Sequence, residues 1–295
     1  MNCPDDCLTP GLIHVVYGAT ASGKSAFALD LAVQKNGVII NADSMQVYDA
    51  LHGLTAQPSR EDQEQVPHCL YALLEPSAQC SAALWRRLAI DEITKAFSEN
   101  RTPILVGGTG LYIKALIKGL APVPDAPAEI RAKAIERQKN LGNEAFHAEL
   151  AVVDPVMAAR LNPNDTQRLI RAREVFDATG KSLAYWQSLP PESPPEGWKF
   201  QMHFVNPERK ILYARCEARF DLMMETRIIE EVKALEALIN AGLVPPDAAI
   251  TNALGFKPLL AYLKDECCLE DAVSQAKQDT RRYAKRQLTW FRNQM

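Results

Sequence analysis

Gly18-Ala19-Thr20-Ala21-Ser22-Gly23-Lys24-Ser25 decides the fold of this chain. The stretch follows the apolar run Leu12-Ile13-His14-Val15-Val16-Tyr17 and opens into Ala26-Phe27-Ala28-Leu29-Asp30-Leu31-Ala32, so it reads as a strand, a phosphate-binding loop and a helix. Glycines at 18 and 23 let the backbone curl until consecutive N–H groups point inward. Lys24 adds a fixed positive charge, and Ser25 offers a hydroxyl suited to a magnesium ion. The helix that begins there contributes its positive dipole end. A phosphate-bearing ligand is therefore expected at residues 18–25.

Two further strands end in polar loops. Gly37-Val38-Ile39-Ile40-Asn41 is a β-branched run of the buried type and leads into Ala42-Asp43-Ser44-Met45-Gln46-Val47-Tyr48. Asp43 thus lies at the carboxyl end of a strand, the edge where open α/β sheets bind ligands, although an aspartate there would equally suit the cap of a following helix. Thr102-Pro103-Ile104-Leu105-Val106 runs into Gly107-Gly108-Thr109-Gly110-Leu111-Tyr112, where three glycines around a hydroxyl suit close approach of a substrate. That strand ends without the acidic residue that a motor-type ATPase places there. Ser81 to Asn100 has helical apolar spacing, whereas residues 49–82, interrupted by Pro58, Pro67 and Pro76, read as a connecting segment in which His68 is structural.

The proline-rich stretches at 121–127 and 190–195 bracket a helical region: one helix or two from Arg131 to Leu150, another from Pro155 to Arg160, and a third from Thr166 to Thr179. The fold class predicted is α/β, a P-loop-type parallel sheet flanked by helices with an inserted all-helical subdomain. Residues 1–120 form the first part of the core, 121–198 the insert, and 199–295 the return to the core. That return comprises a strand at Phe200–Asn206, a long helix from Arg209 to Ala241, and a last helix from Glu270 to Arg292. Lys277, Arg281, Arg282, Lys285, Arg286 and Arg292 share one side of the last helix, with few acids among them, which fits a phosphodiester partner.

Composition narrows the class. At 295 residues, 47% hydrophobic and 23% charged, the chain can bury a full core, and a net charge of −3 confines any nucleic-acid contact to local patches. Seven scattered cysteines lack zinc spacing and fit free thiols in a reducing cytoplasm, with Cys3 and Cys7 read as part of a frayed tail. No leader or bilayer-length apolar run is evident, so a cytoplasmic protein without a membrane partner is expected, as a monomer.

Taken together, the motifs resemble the tRNA dimethylallyltransferases, or tRNA isopentenyltransferases. The stretches that carry the likeness are residues 18–25, 41–48 and 107–112, Asp154-Pro155, Asn162-Pro163-Asn164-Asp165-Thr166-Gln167-Arg168-Leu169-Ile170-Arg171-Ala172, and Arg286-Gln287-Leu288-Thr289-Trp290-Phe291-Arg292. The resemblance implies magnesium-assisted transfer of a dimethylallyl group from its diphosphate to N6 of the adenosine 3′-adjacent to the anticodon. It implies a diphosphate cradle at Gly18, Ala19, Thr20, Ala21, Ser22, Gly23, Lys24 and Ser25, and Asp43 as general base. Asp43, Ser44, Met45, Gln46, Gln167, Arg168, Leu169, Ile170 and Arg171 are similar to the family's tRNA contacts, as are Thr109 and, more loosely, Arg131. Arg282 and Arg286 join them from the basic helix. Ala19 departs from the family's usual proline, Gln57 from its common lysine, and Cys69-Leu70-Tyr71 from a more polar stretch. A zinc-finger extension of the kind that some eukaryotic relatives carry is not expected.

The chemistry agrees. The lone pair of an adenine amino group is delocalised into the ring, so a carboxylate that takes its proton contributes roughly 10²- to 10⁴-fold. The main rival is a P-loop kinase acting on a small molecule or nucleoside, which would aim Asp43 at a hydroxyl but would need neither the helical insert nor the basic helix. A non-catalytic RNA-binding module would need no phosphate loop.

Overall fold

Three β-branched runs are apolar at nearly every position, so each must be covered on both faces, and they form the centre of a parallel sheet. A computed structural model describes residues 11–295; the Cys3 and Cys7 tail lies outside the described residues. The strands are β1 (Leu12–Tyr17), β2 (Gly37–Asn41), β3 (His68–Cys69), β4 (Thr102–Gly107) and β5 (Lys199–Phe204), in the order β3-β2-β4-β1-β5 and all parallel. Along β1 the side chains alternate between two layers. Ile13 and Val15 join the larger core, with Ile40 and Leu105 beside them, while Val16 joins Ile39, Ile104 and Val106 under α1 (Lys24–Gln34).

The larger core is covered by α3 (Ala82–Ser98), α4 (Gly110–Lys118), α9 (Arg209–Met224), α10 (Ile228–Asn240), α11 (Phe256–Leu263) and α12 (Leu269–Gln294). The expected long helix from Arg209 to Ala241 is two helices. Thr226 ends the first by turning both its N–H and its hydroxyl onto the Met223 carbonyl, 2.9 and 2.7 Å away, a local bond that competes with helix continuation. Residues 49–82 are more ordered than expected: they contain α2 (Arg60–Gln65), started by a reciprocal Ser59–Asp62 capping box, and the short β3.

The described chain divides into two compact units, residues 11–117 with 195–295, and residues 118–194. The second is all helical: α5 (Ala128–Val153), α6 (Pro155–Ala158), α7 (Thr166–Thr179) and α8 (Leu183–Ser188) enclose Phe146, Leu150, Leu169 and Val175. Gly142, at φ 74° and ψ 172°, breaks α5 into two helical pieces. Cys69, Cys80, Cys216, Cys267 and Cys268 are free thiols. No helix among the described residues is long and apolar enough to cross a membrane.

On the α1 side of the sheet, buried His14 of β1 and His203 of β5 hydrogen-bond at 2.9 Å, their rings stacked 5.2 Å apart and Phe27 packed on His203. Burial holds both imidazoles below their usual value, and at His14 the neighbouring His203 lowers it further. Between the lowered values and about 6.5 the unfolded chain binds more protons than the folded one, so stability rises with pH through that window and is lost as pH falls through it. The melting temperature at pH 5.5 is therefore expected to lie several degrees below that at pH 7.5. In His203→Phe this gap should narrow, and an equal gap in both proteins would remove the histidine pair as its source.

Candidate active site

β1, β2 and β4 end at one edge of the sheet, where Tyr17 pairs with Gly107 and Asn41 with Val106, so the loops at 18–23, 42–46 and 108–109 converge. The first is drawn tight. The Ser22 N–H donates to the Ala19 carbonyl at 3.2 Å, Ala21 sits at φ 61°, and Gly23 starts α1 at φ 95°. The Thr20 N–H donates to Gln287 Oε1 at 2.8 Å. Two of the loop's amides, those of Thr20 and Ser22, are therefore committed within the protein. An anion is left the first turn of α1, whose N–H groups have no intrahelical carbonyl to bond.

Lys24 donates to the Ala19 carbonyl at 3.3 Å. Its stem is partly exposed, but its ammonium is enclosed by protein, and this desolvation pushes its pKa down to about 8 against the opposing pull of Asp43. Ser25 is exposed beside it. Ala19 is buried against Leu212 and Cys216 of α9 and Ala284 and Leu288 of α12, so the loop rests on two helices from the far end of the chain.

Asp43 is held by its own segment. The buried Asn41 side chain accepts from the Asp43 N–H at 2.8 Å and donates to the carbonyls of Asp43 and Leu70 at 3.1 and 3.0 Å. Asp43 Oδ1 accepts from the Met45 N–H at 3.0 Å. No helix follows; residues 44–47 are turn and the next helix begins at Arg60, so Asp43 is not a helix cap. Thr109 locks the turn from β4: its Oγ1 accepts from the Ser44 N–H at 2.9 Å and its N–H donates to the Ala42 carbonyl at 3.1 Å. Gln46 Nε2 donates to the carbonyls of Thr55 and Ala56 at 2.9 and 2.7 Å.

A cavity of about 320 Å³ opens between these loops and the helices behind them. Thr20, Asp43 and Arg219 line its polar part, and Met45, Leu54, Phe220, Met223 and Leu254 its apolar part. Arg219 was not singled out in the sequence reading. Its guanidinium donates to Thr20 Oγ1, and one helical turn earlier Arg215 donates to the Ser22 carbonyl at 3.1 Å. Two arginines four apart on a face that also carries Leu212, Cys216 and Phe220 were the available signal. Burial lowers the pKa of Arg219, which remains cationic at neutral pH.

The glycines at 107, 108 and 110 each have a packing reason. A Cβ on Gly108 would lie 2.3 Å from Gln287 Nε2, one on Gly110 2.2 Å from the Trp290 ring, and one on Gly107 2.0 Å from the Ala42 carbonyl oxygen. The close approach they permit is that of α12 and the β2 loop. A second cavity of about 220 Å³ lies beside them, lined by Thr109, Leu111, Trp290 and, in common with the first, Tyr283 and Arg286.

In the helical unit, Arg131 and Arg171 reach one buried carboxylate, Glu174, at 3.3 and 2.7 Å. Two cations on one anion leave a surplus positive charge. Arg168 pairs with Asp165 at 3.3 Å and Gln167 is exposed, whereas Leu169 and Ile170 are buried in the unit's core. On α12, Lys277 is paired with Asp221 at 2.5 Å and Arg281 with Glu217, so α9 supplies the acids that the sequence of α12 lacks. Arg282, Lys285, Arg286 and Arg292 remain exposed.

The Lys24 ammonium gives a pH dependence to anion binding. A bound anion restores its charged form, so above pH of about 8 binding takes up a proton, and affinity for inorganic diphosphate is expected to fall by up to about tenfold per pH unit. Calorimetric titration between pH 7 and 9.5 checks this against Lys24→Met, in which the contribution is absent; parallel pH profiles would contradict it.

The sequence model of the family described as IPP transferase matches residues 46–294. A tRNA dimethylallyltransferase of Rhodospirillum centenum is 50% identical over 283 residues, covering 96% of this chain and 89% of its own. One of Paramagnetospirillum magneticum is 50% identical over 281 residues, 95% and 88% of the two chains. Among solved structures, the tRNA isopentenylpyrophosphate transferase of Bacillus halodurans superposes with a TM-score of 0.65 at 36% identity, covering 96% of this chain and 86% of that one. A eukaryotic dimethylallyltransferase described as acting on tRNA gives 0.79 at 26% identity, covering 95% and 69%. With a five-stranded parallel sheet, a family model that matches most of its length and relatives that match it almost end to end, this chain belongs to the IPP transferase family.

Proposed function

We propose that the protein transfers a dimethylallyl group from dimethylallyl diphosphate to N6 of the adenosine 3′-adjacent to the anticodon of tRNA. The observation that supports this reading is the lining of the 320 Å³ cavity, which includes the Asp43 carboxylate, Thr20 of the 18–25 loop, the Arg219 guanidinium and an apolar wall. A kinase has no use for an apolar chamber at the phosphate's far end, and the relatives are prenyl-transferring enzymes acting on tRNA by name.

In this reading Lys24, the first turn of α1 and Arg219 hold the diphosphate, and the prenyl tail lies along Met45, Leu54 and Phe220. The bond from N6 to the prenyl C1 forms as the C1–O bond breaks. The electron pair of that bond leaves with the diphosphate, and the N6 proton passes to the Asp43 carboxylate. Asp43 Oδ1 is already oriented by the Met45 N–H, which leaves the other oxygen for the amine. The lysine and arginine stabilise charge on the departing oxygen, a contribution that grows in an enclosed site.

Magnesium fits this arrangement through the donor's own oxygens. The described residues contain no group of three acidic, histidine or cysteine side chains suited to an ion, but a hydroxyl at a phosphate-loop helix start is the usual protein ligand when diphosphate supplies the others. Ser25 would hold the ion, which when bound neutralises charge on the diphosphate.

The tRNA would be held by the exposed cations of α12, by Thr109 and the 43–46 turn, and by Gln167, Arg168, Arg171 and Arg131 of the helical unit. The adenosine must leave its stack, at a cost of a few kcal/mol offset by phosphate contacts.

Asp43→Asn keeps the shape of the turn and its bond from Met45 but takes up no proton. Single-turnover transfer at saturating tRNA and donor is expected to fall at least about 10²-fold with little change in binding of either substrate. A near-normal single-turnover rate would take the general-base role away from Asp43. Replacing Arg282 and Arg286 with alanine should weaken tRNA binding and reduce the slope of log K against log salt by about one per lost phosphate contact. An unchanged slope would mean that α12 is only a solvated face.

A further inference from the structure

The loop between Tyr48 and Pro58 is fixed with unusual thoroughness for a segment that carries no charged side chain into the cavity. Leu51 and Ala56 both adopt left-handed backbone, at φ 53° and 54°, which non-glycine residues hold only when their surroundings enforce it. The enforcement comes from several sides. Gln46 holds the Thr55 and Ala56 carbonyls, Gln57 Nε2 donates to the Tyr48 carbonyl at 2.9 Å, and the Thr55 hydroxyl donates to the Leu51 carbonyl at 2.9 Å. From α10, the Glu231 carboxylate accepts from two successive amides, Gly53 N–H at 2.8 Å and Leu54 N–H at 3.1 Å, one on each oxygen. Glu231 sits in the first turn of its helix, where the dipole favours its negative charge.

What this clamp positions is Leu54. Its side chain lines the cavity yet is almost fully buried, and a Cβ on Gly255 would lie 3.0 Å from Leu54 Cδ1 and 2.8 Å from the Phe220 ring, so the three residues close together. Leu54 and Phe220 belong to the main hydrophobic core, which lies behind them, whereas Met223 and Leu254 on the same wall are partly exposed. At Leu54 and Phe220 the cavity ends on packed protein rather than on solvent.

We propose that Leu54, held in place by the two amide bonds to Glu231, is the stop that limits the donor to a five-carbon tail, with Glu231 acting as a positioning residue. This rests on the reading of the cavity as the prenyl-diphosphate site. A tail longer by one isoprene unit must displace Leu54 or Phe220, and a well-packed core resists such insertion. Releasing the loop or shortening the stop lets the longer tail in. The chemistry of transfer is the same for both donors, so the effect falls on which donor is used.

The experiment measures kcat/KM for transfer to tRNA from dimethylallyl diphosphate and from ten-carbon geranyl diphosphate, in the wild type, Leu54→Ala, Leu54→Val, Glu231→Ala and Glu231→Gln. Leu54→Ala is expected to shift the geranyl-to-dimethylallyl ratio at least tenfold toward the longer donor, and Leu54→Val in the same direction by less. If Leu54→Ala does not fold, the valine variant carries the comparison. Glu231→Ala should raise KM for dimethylallyl diphosphate several-fold with a smaller change in kcat, leave tRNA affinity unchanged and shift the donor ratio. Glu231→Gln, which keeps one oxygen acceptor of the two, should fall between it and the wild type. An unchanged donor ratio in folded Leu54 variants overturns the proposal, as does a Glu231→Ala enzyme that loses kcat alone. Absence of any transfer from dimethylallyl diphosphate by the wild type would instead remove the functional reading on which it rests.

Discussion

One buried side chain, Gln287 of α12, ties the phosphate loop to the second glycine loop. Its amide oxygen accepts from the Thr20 N–H and its nitrogen donates to the Gly108 carbonyl, both at 2.8 Å. Both backbone groups belong to buried residues, where an unpaired donor or acceptor costs about 1–3 kcal/mol, so the two loops are satisfied only when α12 is docked. The contact spans 267 residues of sequence. Much of what surrounds it follows: Gly108 and Gly110 have no side chain because the amide and the Trp290 ring occupy that space, and Ala19 is small and apolar because α9 and α12 press on it.

This dependence explains how a site can be assembled from both ends of the chain around an insert. The sheet contributes strand ends, which place Asp43 and the start of α1 on one edge, with the Asn41 and Thr109 side chains holding the Asp43 turn. The helices that follow β5 contribute the cations. Arg215 and Arg219 donate to the phosphate loop from α9, and α12 closes the cavity with Thr280, Tyr283 and Arg286. The resulting chamber is electrostatically asymmetric: burial lowers the Lys24 pKa, the Asp43 charge opposes that shift, and nearby Arg219 adds a smaller lowering. Burial raises the hydroxyl pKa of Tyr71, Tyr112 and Tyr283, and the Asp43 charge raises each further, so these side chains are neutral neighbours of the carboxylate.

The helical unit has its own polar centre. Glu174 is fully buried and satisfied by two arginines on different helices, α5 and α7, so it joins those helices while leaving net positive charge at the surface. A buried carboxylate of this kind is held by the pair of cations, and removing either would leave charge poorly compensated.

The sequence by itself determined the parallel sheet, the tight glycine loop between β1 and α1, the placement of Asp43 at a strand end and the extent of α7, because each is local: β-branched runs, glycine spacing and helical caps act within a few residues. It also carried the family likeness through motifs distributed along the chain. Gln287 and Arg286 were legible as parts of a motif, but not the bonds they make. The tertiary structure alone decided what the Gly107–Gly110 glycines accommodate, which basic residues of α12 are neutralised by Glu217 and Asp221, and that Ile170 is core. It likewise revealed Arg219 and the Glu231 clamp on Leu54. In each of these the partner lies on another element, and which groups face each other across a packed interface is set by docking geometry that no local pattern encodes.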